Sequence, residues 1–201
     1  MEKEKVAVTG ATGYIGRHLV PALIEKGYTI SNDPDVTRVY HLACPSNTER
    51  INNDTLFVVD TILDLTRDVI KKWPNALIVN ASSVGAAIEE PGPQGAYNVA
   101  KRCMELYLEF SGVKYINYRI PSVYGEDMHP DKFVKRCVDG TAYPPSNPDR
   151  MYWLAHIDEV IESLVELRPI EVEHITLGNI YELFNSGRRG LHRPATNQSP
   201  V

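Results

Sequence analysis

Tyr97 and Lys101, in the run AYNVAK, stand four residues apart, a spacing that puts a phenol and an ammonium on one helical face, one turn apart. A free phenol, with a pKa near ~10, is a poor base at neutral pH. A neighbouring positive charge favours the phenolate and lowers that value. Ser83 closes the apolar run ALIVNASS, so its hydroxyl falls at the carboxyl end of a buried strand, where open α/β sheets bind ligands. There it could hold a substrate oxygen while Tyr97 moves a proton. A Ser-Ser pair is common in loops, and a Tyr and a Lys one turn apart recur on many helices. Their weight comes from standing downstream, in order, of the glycines Gly10, Gly13 and Gly16.

Those glycines follow Val6–Val8, short, apolar and largely β-branched, as expected of a strand buried on both faces. They lead into Ile15, Leu19, Val20, Leu23 and Ile24 at helical spacing. Strand, glycine turn and helix in that order present helix N-terminal amides to a diphosphate. Gly10 allows the tight turn, Gly13 lets the backbone approach phosphate, and Gly16 lets helix and strand pack closely. The competing reading is a glycine-bearing corner without a ligand. The helix should end at Lys26–Gly27, with a kink at Pro21.

Only Tyr28–Thr37 separates this helix from the next strand, Arg38–Ala43, too short for the strand, helix and strand that complete a doubly wound nucleotide fold. The sheet is therefore expected to be shortened on the adenosine side. Joining the first helix straight to that strand would make a rare left-handed crossover. Either the helix changes face, or Thr29–Asn32 forms a stub strand, or the crossover rule is broken. Asp33 and Asp35 stand where an acid ordinarily holds the ribose hydroxyls, but in an Asn-Asp-Pro-Asp segment they equally suit a plain turn.

The remaining elements are a helix at Leu56–Trp73, a strand at Ala76–Ser83, a helix at Tyr97–Phe110 and one long strand at Lys114–Gly125. A short helix at Asp131–Gly140 follows, then a strand at Met151–Ile157 and a helix capped by Asp158 and running through Leu167. Ile175–Asn179 and Ile180–Phe184 make a last strand and helix. Of 201 residues, 43% are hydrophobic and 23% charged, with a formal net charge of −5, which argues against nonspecific nucleic-acid binding. No apolar run reaches membrane-spanning length, and the charged Met1–Lys5 leads straight into a strand, so neither membrane partner nor secretory leader is expected. Cys44, Cys103 and Cys137 are odd in number and lack metal-type partners, which suits reduced thiols in the cytoplasm and no metal.

The glycine spacing with Tyr97-x-x-x-Lys101 resembles the extended, sugar-nucleotide-modifying branch of the short-chain dehydrogenase/reductase superfamily, over most of residues 5–180. The run HLACPS at His41–Ser46 is similar to that branch's His-Leu-Ala motif, in a form most like UDP-glucuronate decarboxylases. The resemblance implies a doubly wound parallel Rossmann-like sheet over 1–125, an abridged C-terminal substrate subdomain over 126–185, and a polar tail over 186–201. It implies NAD or NADP cradled by Gly10, Thr12, Gly13, Tyr14, Ile15 and Gly16, with Asp33, Leu42, Ala43, Tyr97 and Lys101 also on the cofactor. Ser83, Tyr97 and Lys101 become the catalytic set: Tyr97 as acid/base, Ser83 also on the substrate, and hydride moved by the nicotinamide. Ser122 falls where relatives touch the nucleotide, and Asp60 where an Asn supports the Lys, although an exposed helix Asp suits that position better. His156, in a His-x-Asp motif, is expected to be structural. The basic tail Arg188, Arg189, His192 and Arg193 either clamps a diphosphate, through Arg189, or frays into solvent.

Departures from the pattern narrow the chemistry. Gly85 replaces the acid of decarboxylases and 4,6-dehydratases, and Gln94 replaces the Arg that meets a sugar carboxylate; Glu89 and Glu90 lie nearby. What remains suits 4-epimerisation or keto reduction of a sugar nucleotide. The alternative is a catalytically degenerate chain kept as a dimerising or nucleotide-binding module. By the same resemblance, helices 56–73 and 97–110 would form a homodimer interface.

Overall fold

Val6 and Ala7 are fully buried in β1 (Lys5–Thr9), and the turn that follows starts α1 (Tyr14–Glu25), which runs through Pro21. The computed structural model describes residues 3–45, 54–87 and 95–192. Beyond α1, Gly27 takes φ 94°, a conformation that suits glycine after a helix end. Next come β2 (Thr29–Ile30), β3 (Arg38–His41), α2 (Thr55–Lys72), β4 (Leu77–Ser83) and a 3₁₀ turn at Val84–Ala87. α3 (Gly95–Phe110) and β5 (Tyr115–Ile120) complete this part. The sheet order is β2–β1–β3–β4–β5, with every pairing parallel. Val69 and Trp73 of α2 and Leu108 of α3 pack with Ala7, Val39 and Ile78 in one apolar cluster, which seats both helices on the sheet.

The topological question is answered by the stub strand. β2 pairs with Lys5 and Val6 on the opposite side of β1 from β3, so α1 joins β1 to β2 and not to β3. Because β2 has only two residues, it ends level with the start of β3, and a short loop suffices to pass the amino end of β1. That loop is tied down there. Thr37 N–H donates to Lys5 O at 3.1 Å, Lys5 Nζ reaches Asp33 and Asp35 at 3.4 and 3.1 Å, and Trp73 Nε1–H donates to Asp33 O at 2.8 Å.

The expected long strand Lys114–Gly125 is two strands in separate sheets, broken at Pro121, whose missing N–H cannot serve a ladder. The chain divides at that point into two units, one reaching Ile120 and including Leu164–Pro169, the other Pro121–Ser163 with the chain from Ile170. In the second unit β6 (Ser122–Tyr124), β7 (Met151–His156) and β8 (Glu173–Thr176) form a sheet in that order, with β8 antiparallel. Its helices are α4 (Phe133–Val138), α6 (Leu177–Asn185), and most of α5 (Ile157–Glu166). β8 and α6 both begin earlier than the sequence suggests. Asp158 is not the cap of α5: it lies in the first turn, and its N–H donates to His156 Nδ1 at 3.2 Å, so the imidazole does the capping. His156 is structural in this role, its Nε2–H bonded to Leu191 O at 2.8 Å.

Candidate active site at the carboxyl ends of the strands

The glycine turn is shaped by close backbone approach. Gly10 takes φ 73°, and a Cβ there would lie 2.7 Å from Ala43 N and 2.9 Å from the Leu42 carbonyl carbon. A Cβ on Gly16 would lie 2.2 Å from Gly10 O, so helix and turn can touch only without a side chain. Thr12 and Gly13 are exposed, Tyr14 and Ile15 half-buried, and Gly13 caps α1 with no side-chain hydrogen bond. No side chain caps the first turn of α1, the arrangement by which a helix N-terminus meets an anion.

β3 is locked against β1 by a one-way hydrogen-bond relay. Ala43 N–H donates to Thr9 Oγ1 at 3.3 Å, Thr9 and His41 Nδ1 lie 2.8 Å apart, and His41 Nε2 meets Thr66 Oγ1 at 3.2 Å. Thr66 gives its own proton to Ile62 O at 2.8 Å. Only a neutral imidazole protonated on Nε2 satisfies every member. Burial, helped by the charge on Lys101, pushes the His41 pKa down to about 3, so that form persists across the working range.

Past His41 the chain carries Leu42 and Ala43 over the glycine turn and then sets Cys44 beside α3. Cys44 and Tyr97 pack on the same cluster of Val58, Ile62, Ala100 and Met104, and the Cys44 thiol bears electrostatically on both Tyr97 and Lys101. Lys101 is 3% exposed; its Nζ donates to Ala81 O at 2.7 Å and lies 5.6 Å from the centre of the Tyr97 ring. β4 therefore holds the ammonium by a backbone carbonyl, beside the phenol ring.

The expected lowering of the phenol pKa does not occur in the protein alone. Burial, reinforced by Cys44, pushes Tyr97 well above the usual phenol value. Burial also lowers the Lys101 ammonium, against the opposing pull of Cys44 and Glu105. Desolvation disfavours both charged forms and is the largest cause of each shift.

Ser83 Oγ accepts from Gly85 N–H at 3.1 Å, and Gly85 in turn abuts Asn98, the residue after Tyr97. An unbroken run of contacts thus joins glycine turn, Leu42–Cys44, Tyr97 with Lys101, Asn98, Gly85 and Ser83. α3 is fixed beneath them by Glu105, 3% exposed, which accepts from Ser82 Oγ at 2.6 Å and from Arg119 Nε and Nη2 at 2.9 and 2.8 Å. Burial works to raise the Glu105 pKa, but Arg119, Ser82 and Arg102 outweigh it and hold the carboxyl below its usual range. Glu105 shares the face of Lys101 one turn on, the signal by which sequence could have found it. Cys44 and Asn98 carry no such signal.

Other expected residues lie elsewhere. Asp33 bonds Lys5, the first residue of β1, about 13 Å along the strand from the glycine turn at ~3.3 Å per residue. It is a turn residue at the wrong end of the sheet for a ribose, and Asp35 shares that placement. Asp60 is exposed. Ser122 opens β6 in the second unit. Arg189, also there, does not fray: it pairs with Glu173 at 2.6 Å, donates to the Tyr124 hydroxyl and stacks over the Tyr124 and Phe184 rings. Ser46, Glu89, Glu90, Gln94 and Arg193 lie outside the described residues. Among the described residues no helix is long and apolar enough to cross a membrane, and no cluster of metal-ligating side chains forms.

The layout defines a Rossmann-like α/β protein. Residues 6–92 match the model of the NAD dependent epimerase/dehydratase family. It is 23% identical over 188 residues to UDP-2-acetamido-2,6-beta-L-arabino-hexul-4-ose reductase of Pseudomonas aeruginosa, covering 81% of this chain and 49% of that protein. The chain thus spans about half the length of that reductase. Among solved structures, UDP-glucose 4-epimerase of Thermotoga maritima with UDP-glucose aligns at TM-score 0.72, 20% identity, 96% of this chain and 87% of that one. The UDP-glucose 4-epimerase of Thermus thermophilus, in complex with NAD, aligns at TM-score 0.71, 15% identity, 91% of this chain and 80% of that one. At these identities the structural likeness is one of fold.

Proposed function

We propose that this chain is a cytoplasmic, homodimeric NAD(P)-dependent enzyme that exchanges a hydride and a proton at one carbon of a sugar nucleotide, by 4-epimerisation or keto reduction. The observation that carries this is the run from the glycine turn, against which Leu42 and Ala43 lie, through Cys44 to Tyr97 on one apolar cluster, with Lys101 beside the phenol. The cradle suits a dinucleotide: uncapped α1 amides, an exposed Gly13, and a Gly10 whose missing Cβ leaves β3 against the turn. The names of the matched reductase and epimerases support the sugar-nucleotide class. Bound there, the nicotinamide would accept or return a hydride.

The protein's own groups handle the proton. Burial keeps Tyr97 protonated, so it serves first as a donor to a developing alkoxide. Ser83, whose oxygen already accepts from Gly85, has its hydroxyl proton left to donate to the same substrate oxygen. Lys101 places a cation next to the phenol and steadies the phenolate once the proton has left. Gly85 supplies no acid, so elimination has no proton donor at that position.

Calorimetry with NAD(H) and NADP(H) up to millimolar concentration tests the reading, and absence of saturable binding rejects it. In active protein, Tyr97→Phe should bind cofactor normally and lose about 10² to 10⁴-fold in hydride exchange. A second reading draws on the two-residue β2, which leaves the adenosine side of the sheet abridged: a non-catalytic binding module. Cofactor binding without exchange on any UDP-hexose would favour it.

A further inference from the structure

Asn98 projects from the first turn of α3, next to Tyr97, against the backbone of Gly85. A Cβ on Gly85 would lie 2.1 Å from Asn98 Oδ1, 2.7 Å from its Cγ and 3.1 Å from its Nδ2. Gly85 is not among the residues with positive φ, so its backbone would accept another residue; the Asn98 amide is what forbids one. The same Gly85 donates its N–H to Ser83 Oγ. Hydroxyl, glycine and carboxamide therefore line up along one edge of the candidate site, with the phenol adjoining.

The Asn98 side chain is half-buried, so part of it stays accessible to a ligand. Its carboxamide offers two donors and an acceptor next to the candidate catalytic hydroxyl. A ligand group that both donates and accepts matches it, and the hydroxyls of a sugar do both.

Resting on the hydride-exchange reading, we propose that Asn98 is a specificity-determining residue that hydrogen-bonds a hydroxyl of the sugar ring beside the reacting carbon. It acts on substrate recognition and not on the cofactor. Because Gly85 leaves the room that Asn98 occupies, a methyl at 85 should dislodge the amide and mimic its loss.

The test is calorimetry and turnover on the full chain, with NAD(H) and with UDP-glucose as probe, for wild type, Asn98→Ala, Gly85→Ala and the double variant. Both single variants should keep NAD(H) affinity within about twofold and lose about 10- to 100-fold in UDP-glucose affinity and kcat/KM, mainly through KM. The double variant should be no worse than Asn98→Ala, since the methyl then displaces nothing. Thermal midpoints of the unliganded proteins should hold for Asn98→Ala, because a half-exposed amide that serves the ligand contributes little to the fold. Equal UDP-glucose affinity in wild type and Asn98→Ala, or strict additivity of the two losses, overturns the proposal while leaving the hydride-exchange reading intact. Loss of NAD(H) binding or of melting temperature in Asn98→Ala also overturns it, in favour of a structural role at the start of α3. Failure of the wild type to bind NAD(H) removes the underlying reading instead.

Discussion

At the scale of single residues, burial decides the charge states. His41 is the clearest case: its folded pKa, about 3, lies well below the free value of 6.5. Below pH 6.5 the unfolded chain takes up a proton that the native imidazole refuses. The stability is therefore complete above that pH and is lost as pH falls toward 3. From pH 7 to pH 5 the loss attributable to His41 should be about 2 kcal/mol. Urea unfolding at the two values measures it, against a His41→Gln variant in which that part of the slope should vanish; an unchanged slope would show that His41 titrates normally. Tyr97 and Lys101 follow the same rule. Their spacing was legible in the sequence, but the direction of their pKa values was not, because neither Ala81 O nor Cys44 is a sequence neighbour of either.

At the scale of elements, the strand–glycine–helix corner is the part most fully written in local sequence. Its turn needs Gly10 at φ 73°, and its helix needs Gly16 where a Cβ would meet Gly10 O. Gly16→Ala should force the turn off the helix, costing about 1–3 kcal/mol in urea unfolding and weakening NAD(H) binding together. A fully stable variant with normal binding would mean that the close approach is dispensable. The strand Lys114–Gly125 shows the opposite situation. Its apolar run reads as one element, and only the pairing of β5 with β4 and of β6 with β7 divides it at Pro121. α5 makes the same point, since its cap is His156, the last residue of β7, rather than the acid that propensity favours.

At the scale of the whole molecule, the exposed faces of α2 and α3 carry the proposal of a homodimer. Phe110 is 84% exposed and Leu56 76%, with Val99, Leu106 and Tyr107 also bared. That much apolar side chain on one helix pair is what an interface between copies covers. Light scattering at micromolar concentration should give a dimeric mass for the wild type and a monomeric one for Leu106→Asp/Phe110→Asp, with unfolding midpoints little changed. A monomeric wild type would refute the pairing. β2 belongs to this scale as well. The missing length between α1 and β3 announced a shortened sheet, but three routes across it remained open. The contacts of Thr29–Thr37 with the amino end of β1 selected one of them.

What the sequence determined alone is whatever rests on spacing along one segment: the glycine corner, the alternation of strand and helix, the phenol and ammonium sharing a face, and the serine at a strand end. Periodicity and steric demand act within a few residues, so they can be read there. Tertiary structure decided the rest, namely Asp33 at the far end of β1, Cys44 on one cluster with Tyr97, Asn98 against Gly85, and Arg189 pinned to Glu173. Each depends on distant segments meeting and on the desolvation that follows, and no local pattern encodes which charges will be stripped of water.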